Sequence, residues 1–235
     1  MWVDGEELYT DRYFKKVYHR QKPFAEAIIS RLNLKGKKIV SIGSGTGAEE
    51  LLFAECGAGV VDCIEQRTEG CLLTLKQAKN RHIDNIAAFN TRHEKFTSLY
   101  HYDLIYTSSP SDWMHEYTWE QGIPSVYCNF IRRYMARGGF FIGVIYGGTF
   151  HGQSIKGHRL TEANQAVFIQ VLKKQCEKEG WHLLEYWKGN VYGYSCLIVL
   201  SNNYIRLPDN SSFSYYYKRW FSDKLSKRVY VNERS

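Results

Sequence analysis

The sequence predicts an α/β fold: a doubly wound, mostly parallel seven-stranded sheet with a C-terminal antiparallel hairpin and an N-terminal helical extension. Three observations predict it. The apolar run Ile39 to Ile42 breaks into Gly43-Ser44-Gly45-Thr46-Gly47 and passes at once into the helical stretch Ala48 to Cys56, a strand, glycine turn and helix in succession. Strand-sized apolar runs then alternate with helical patterns as far as Tyr146. The segment Trp181 to Leu200 reads as two strands about Gly189-Asn190, a hairpin that follows the parallel series.

Each element has its own signal. Between residues 11 and 32, Tyr13, Phe14, Val17, Tyr18, Phe24, Ala25, Ile28, Ile29 and Leu32 recur at steps of three and four, so two helical pieces are expected, divided by Pro23. The first strand follows Lys35-Gly36-Lys37-Lys38, and Gly57 ends the helix begun at Ala48. Val60 to Glu65 is the second strand, and Thr68 to Arg81 the next helix, with an apolar stripe of Leu72, Leu75 and Ala78. Ile86 to Phe89 and Tyr102 to Thr107 are strands three and four. Pro124 opens a helix carrying Val126, Phe130, Ile131, Tyr134 and Met135, closed by Gly138-Gly139 ahead of a strand from Phe140 to Tyr146. A long helix runs to Glu179, with Thr161 as its N-cap and Gly180 as its stop.

Composition bounds the function. The chain has 235 residues, enough for one domain with extensions. No apolar run approaches the roughly 20 residues of a membrane span, and the charged N-terminus does not read as a secretory leader. Six cysteines are scattered without a C-x-x-C pair, so buried free thiols, no metal site and a cytoplasmic location are expected. The net charge is +7, unevenly spread: residues 1–38 hold nine Lys/Arg against five Asp/Glu, residues 206–235 hold seven against three, and the middle is close to neutral. Three segments result: a helical extension or lid (1–36), an α/β domain (37–205) and a basic, aromatic tail (206–235). The sequence leaves the oligomeric state open.

The strand, turn and helix at 39–56 make a nucleotide cradle, because glycines let the backbone bend and approach a ligand at a helix N-terminus. Glu65 ends the next strand about twenty residues on, where a carboxylate accepts from both hydroxyls of a ribose. Asp62, the alternative acid, lies inside that strand and points elsewhere. Gly43-Ser44-Gly45-Thr46-Gly47-Ala48 also fits G-x-G-x-x-A, so a nicotinamide- or flavin-binding domain stands as the rival.

The run Ser41 to Gly47 with Glu65 resembles the cofactor half of the class I S-adenosylmethionine-dependent methyltransferases, over roughly residues 36 to 110. The resemblance implies S-adenosyl-L-methionine as cofactor, held by Ser41, Gly43, Ser44, Gly45, Gly47, Glu65, Gln66, Asn90, Thr91, Arg92, Thr107 and Ser108. The chain departs from the family at three places. Ser41 stands where an acid is usual, and Arg92 where an acid often takes the adenine amino group. Ser108-Ser109-Pro110-Ser111 replaces the Asn/Asp-Pro-Pro-aromatic motif of enzymes that methylate amide or base nitrogens. A terminal hairpin also resembles the family's sheet, and the extension resembles the lid over the cofactor in many of its small-molecule enzymes; a plain capping helix is the other reading.

Methyl transfer asks the protein mainly to position and desolvate the reactants. A general base is required only for a protonated acceptor, and Asp112, His115, Tyr146 and His151 are the candidates near the crevice, each equally readable as a loop or structural residue. Trp113 and Tyr117 are candidates for an acceptor pocket, and Gly147 to Gly152 for a substrate loop. The expected activity is methyl transfer to a small-molecule acceptor. The alternatives are an RNA acceptor drawn by the basic ends and, more remotely, an NAD(P)-dependent oxidoreductase.

Overall fold

A computed structural model describes residues 9–108, 121–146, 162–189 and 195–205. Helix α1 (Asp11–Arg31) is capped by Thr10, whose hydroxyl accepts from the Tyr13 N–H at 3.2 Å. Pro23 lies inside this helix and does not divide it, contrary to the sequence expectation. A proline costs about 3 kcal/mol in a helix interior, but here Phe24, Ala25, Ile28 and Ile29 follow it on a fully buried face, and that packing carries the helix through.

Then come β1 (Lys38–Ile42), α2 (Ala48–Glu55), β2 (Val60–Glu65), α3 (Thr68–Asn80), β3 (Ile86–Asn90), a 3₁₀ turn at His93–Lys95 and β4 (Tyr102–Ser108). The remainder is α4 (Ser125–Tyr134), β5 (Met135–Tyr146), α5 (Glu162–Glu179), β6 (His182–Gly189) and β7 (Ser195–Ser201). The seven strands form one sheet in the order β3-β2-β1-β4-β5-β7-β6. The first five are parallel, and β7 enters antiparallel between β5 and β6.

Both faces are covered, which is why the central strands read as continuous apolar runs. Alternate residues divide between two cores. Ile39, Val61, Cys63, Leu104 and Tyr106 pack with Ile28 of α1 and Leu52 and Phe53 of α2. Val40, Ile42, Ile64 and Ile105 pack with Tyr127 and Ile131 of α4 and Phe168 and Leu172 of α5. No helix among the described residues is long and apolar enough to cross a membrane.

Three further sequence expectations are corrected. Helix α3 buries Gly70, Cys71, Leu73, Thr74, Gln77 and Ala78, while Leu72 and Leu75 are 62% and 44% exposed. The cause is close approach: α3 turns its small residues toward the glycine turn, and the leucines face outward. Helix α4 stops at Tyr134, ahead of Gly138-Gly139, because Met135 already pairs with Tyr102 in the sheet. Gly189 is a strand residue paired with Ser195 rather than part of a tight turn; residues 190–194 and Thr161 lie outside the described residues.

Candidate ligand-binding site

The crevice lies at the carboxyl ends of β2, β1 and β4. Leaving β1, the backbone at Gly43, Gly45 and Gly47 has φ of +70°, +56° and +71°. The turn is fixed to β2 by Gly43 and Ser44, whose N–H groups donate to the Ile64 carbonyl at 2.8 and 3.2 Å. A Cβ on Gly47 would lie 2.2 Å from the Thr74 hydroxyl oxygen, whereas one on Gly45 would project into open space. Gly47 is thus needed for packing against α3, and Gly45 presents bare backbone to the crevice.

Glu65 ends β2 beside this turn and is 6% exposed. Its Oε2 accepts from the Gly45 N–H and its Oε1 from the Arg67 N–H, each at 2.8 Å. Burial raises its pKa, and these backbone N–H groups and Arg67 pull it back. Asp62 is also buried, and it accepts from the Tyr102 hydroxyl at 2.5 Å, away from the crevice.

The other residues named from the sequence take varied places. Asn90 donates to the carbonyls of Glu65 and Gln66 at 3.2 and 3.0 Å, tying the loop after β3 to the loop after β2. Thr91 is half-buried, and its N–H donates to the Glu65 carbonyl at 3.1 Å. Gln66 is exposed, and Arg92 turns outward to pair with Glu94 at 2.9 Å. Thr107 is fully buried and staples β4 to β1 by donating to the Ile42 carbonyl at 2.9 Å. Ser41 is buried and donates to Glu50 Oε1 at 2.5 Å. Asp112, Trp113, His115, Tyr117, His151 and the loop 147–152 lie outside the described residues, and Tyr146 is described only as the strand residue paired with Ser195.

Sequence reasoning missed a second acidic locus. Glu49 and Glu50 open α2, where acids ordinarily complement the helix dipole. Here Glu49 accepts from the Tyr106 hydroxyl at 2.9 Å, and the Ser108 hydroxyl also bonds it. Burial pushes its pKa up to about 7. Glu50 is 1% exposed, and burial together with the Glu49 charge raises its pKa to about 8. The start of α1 overlies both loci. A Cβ on Gly70 would meet the Gly45 carbonyl, Glu65 Cγ and Tyr9 Cε1 within 2.9 Å, which places the Tyr9 ring beside Glu65. Tyr13 stands near Glu49, whose charge together with burial raises the phenol pKa.

No protein-family model matches the sequence, and no curated protein matches it. Solved structures do. Magnesium protoporphyrin IX methyltransferase from Synechocystis PCC 6803, with bound S-adenosylhomocysteine, aligns with a TM-score of 0.58 at 15% identity, over 80% of this chain and 84% of that one. The N-methyltransferase NodS from Bradyrhizobium japonicum WM9, in complex with S-adenosylhomocysteine, aligns at 0.57 and 12% identity over 85% and 96%. A candidate RNA methyltransferase from Pyrococcus horikoshii aligns at 0.56 and 11% over 75% and 80%.

The chain has the class I methyltransferase fold. Within that fold the antiparallel β7 is decisive, since a dinucleotide-binding Rossmann sheet runs in the order 3-2-1-4-5-6 with no such insertion.

Proposed function

We propose that this chain is an S-adenosylmethionine-dependent methyltransferase acting on a small-molecule acceptor. The observation that carries the reading is Glu65, a buried carboxylate at the end of β2 held against a bare glycine turn in a sheet of this order. The residues fit the cofactor. Each Glu65 oxygen accepts one backbone N–H, and a carboxylate oxygen has capacity for a second donor, here one of the two ribose hydroxyls. Gly45 leaves open the space a side chain would fill. Ser41, Gly43, Ser44 and Gly47 shape the turn, Asn90 and Thr91 set the wall for the base beside Gln66 and Arg92, and Thr107 and Ser108 form the β4 rim.

The cofactor supplies a methyl group on a sulfonium, so the chain's task is to bind, orient and exclude water. Glu65 fixes the nucleoside end, and the start of α1, with Tyr9 and Tyr13, covers the crevice from above. Segment 1–36 acts as a lid on the domain 37–205. A small acceptor is favoured by the near-neutral middle of the chain and by Ser108-Ser109-Pro110-Ser111 in place of a nitrogen-methylating motif. Segment 206–235 is an appended tail, and RNA is the second reading on the strength of its charge.

Titration calorimetry tests the proposal. S-adenosylhomocysteine is expected to bind and NADH to give no heat; the reverse would replace the methyltransferase reading with an oxidoreductase. Mass spectrometry of ligand released from the purified, denatured protein is a second check, with S-adenosylhomocysteine the expected species.

A further inference from the structure

The two acidic loci stand on opposite sides of the glycine turn. Glu65 belongs to β2, while Glu49 is tied to Tyr106 and Ser108 of β4; β1 lies between those strands. A ligand whose ribose rests on Glu65 therefore carries its other end across β1 toward Glu49. What awaits it there is incompletely paired. Glu50 Oε1 takes the Ser41 hydroxyl, but Oε2 is buried with no hydrogen-bond partner among the described residues. The Ser44 hydroxyl, in the turn itself, is also buried and without a partner among them. Buried acceptors of this kind are costly to leave unmet.

Among the described residues, the groups facing the pair include no Lys or Arg. Around Glu49 they are Tyr106 and Ser108 from β4, Tyr13 from α1 and Glu50 from α2. Around Glu50 they are Ser41 from β1, and Cys63 and Glu65 from β2. Two adjoining carboxyl groups without a counter-ion each hold a proton more tightly than usual. A cation arriving at the half-buried Glu49 would supply the missing charge, draw the proton off the pair and leave Glu50 ionised behind it.

The geometry points to Glu49, backed by Glu50 and Ser41, as the receptor for the α-ammonium group of the cofactor's amino-acid end. This rests on the cofactor reading above and deepens it. The acid comes from the first turn of α2, and Ser41 on β1, which cannot carry charge, serves to orient it. Atoms and charge balance: the ligand arrives as R–NH₃⁺, and the proton shared by the pair leaves to solvent.

Proton linkage reads this directly. Calorimetry near pH 7 in two buffers of unequal ionisation enthalpy should show S-adenosylhomocysteine binding with release approaching one proton per ligand. Methylthioadenosine, which keeps the nucleoside and lacks the amino-acid end, should bind without release. In Glu49→Gln the release should vanish and affinity for S-adenosylhomocysteine fall about tenfold, with methylthioadenosine affinity unchanged; that unchanged affinity also certifies the variant as folded. S-adenosylhomocysteine binding without proton release, or equal release with methylthioadenosine, would overturn the assignment and leave the cofactor reading intact. Failure of both nucleosides to bind would overturn both.

Discussion

The two rims of the crevice treat a buried carboxylate in opposite ways. On the β2 rim, Glu65 accepts two backbone N–H groups and has Arg67 close by, and these pull against the upward push of burial on its pKa. On the β4 rim, Glu50 has one hydroxyl and a second carboxylate for company, and burial wins, raising it to about 8. The first arrangement suits neutral donors such as hydroxyls. The second holds its proton more tightly than an ordinary carboxyl, and it gains most from a cation.

The largest expected effect separates the rims by pH. A carboxyl with a raised folded-state pKa binds a proton in the folded chain that the unfolded chain has already lost. Stability should therefore fall as pH rises from about 4.5, the ordinary glutamate value, through about 8, and level off above it. At about 1.4 kcal/mol for each tenfold gain in proton affinity on folding, the Glu49–Glu50 pair accounts for a loss on the order of several kcal/mol in the absence of ligand. Thermal melts of the protein at pH 5.5 and 8.5, about three pH units apart, should show it, and Glu50→Gln should flatten the dependence. A Glu50→Gln profile as steep as that of the unmodified chain would remove the contrast between the rims.

Next comes the β2 rim. Glu65→Ala should weaken S-adenosylhomocysteine binding by roughly 1.5–3 kcal/mol, about 10- to 100-fold. Glu65→Gln should cost less, since one acceptor oxygen remains. Asp62→Ala should leave affinity unchanged and instead lower stability by roughly 1–3 kcal/mol, because it strips a partner from the buried Tyr102 hydroxyl. Calorimetry with parallel melts distinguishes the two acids; a greater affinity loss from Asp62→Ala would move the ribose site off Glu65.

Gly45 tests what the two rims share. A methyl group there would enter open space, yet the residue would have to hold φ of +56°. Gly45→Ala should cost roughly 1–2 kcal/mol of stability from backbone strain and reduce affinity by a further steric effect. Gly45→Val mixes these two costs more severely, so alanine is the cleaner probe. Affinity within about threefold of the unmodified chain, under roughly 0.7 kcal/mol, would show that this stretch of backbone does not face the ligand.

The arrangement of the β2 rim was legible in the sequence; on the β4 rim Thr107 and Ser108 were named, but the Glu49–Glu50 pair was not. Gly43, Gly45, Gly47 and Glu65 lie in one local unit of strand, turn, helix and strand, so their spacing alone brings them together. Glu49 acquires its environment from Tyr106, 57 residues ahead, and from Tyr13 on α1. Its local signal, an acid in a helix's first turn, is the ordinary complement to the helix dipole. The same reasoning explains the α3 stripe: Leu72 and Leu75 have helical spacing, but the demand for small residues against Gly47 and Gly45 is a tertiary one. Pro23 failed as a breaker because a buried face outweighed a local penalty, and neither the strand order nor the entry of β7 between β5 and β6 can be read from periodicity.

The smallest expected effect concerns the acceptor. Both ends of the chain are basic, and the tail interleaves Phe213, Tyr215, Tyr216, Tyr217, Trp220 and Phe221 with Lys218, Arg219, Lys224, Lys227 and Arg228, all outside the described residues. Cations for phosphates and rings for base stacking are what single-stranded RNA requires. If the tail only adds charge to a small-molecule enzyme, RNA binding should be weak and should fall steeply between about 50 and 200 mM salt, as counter-ion release dictates. Removing residues 209–235 should then shift RNA affinity only modestly and leave S-adenosylhomocysteine binding on both rims untouched. Tight RNA binding that persists at the higher salt and disappears with the tail would instead mark the tail as part of the acceptor site, because contacts insensitive to salt must come from stacking and base recognition rather than from charge.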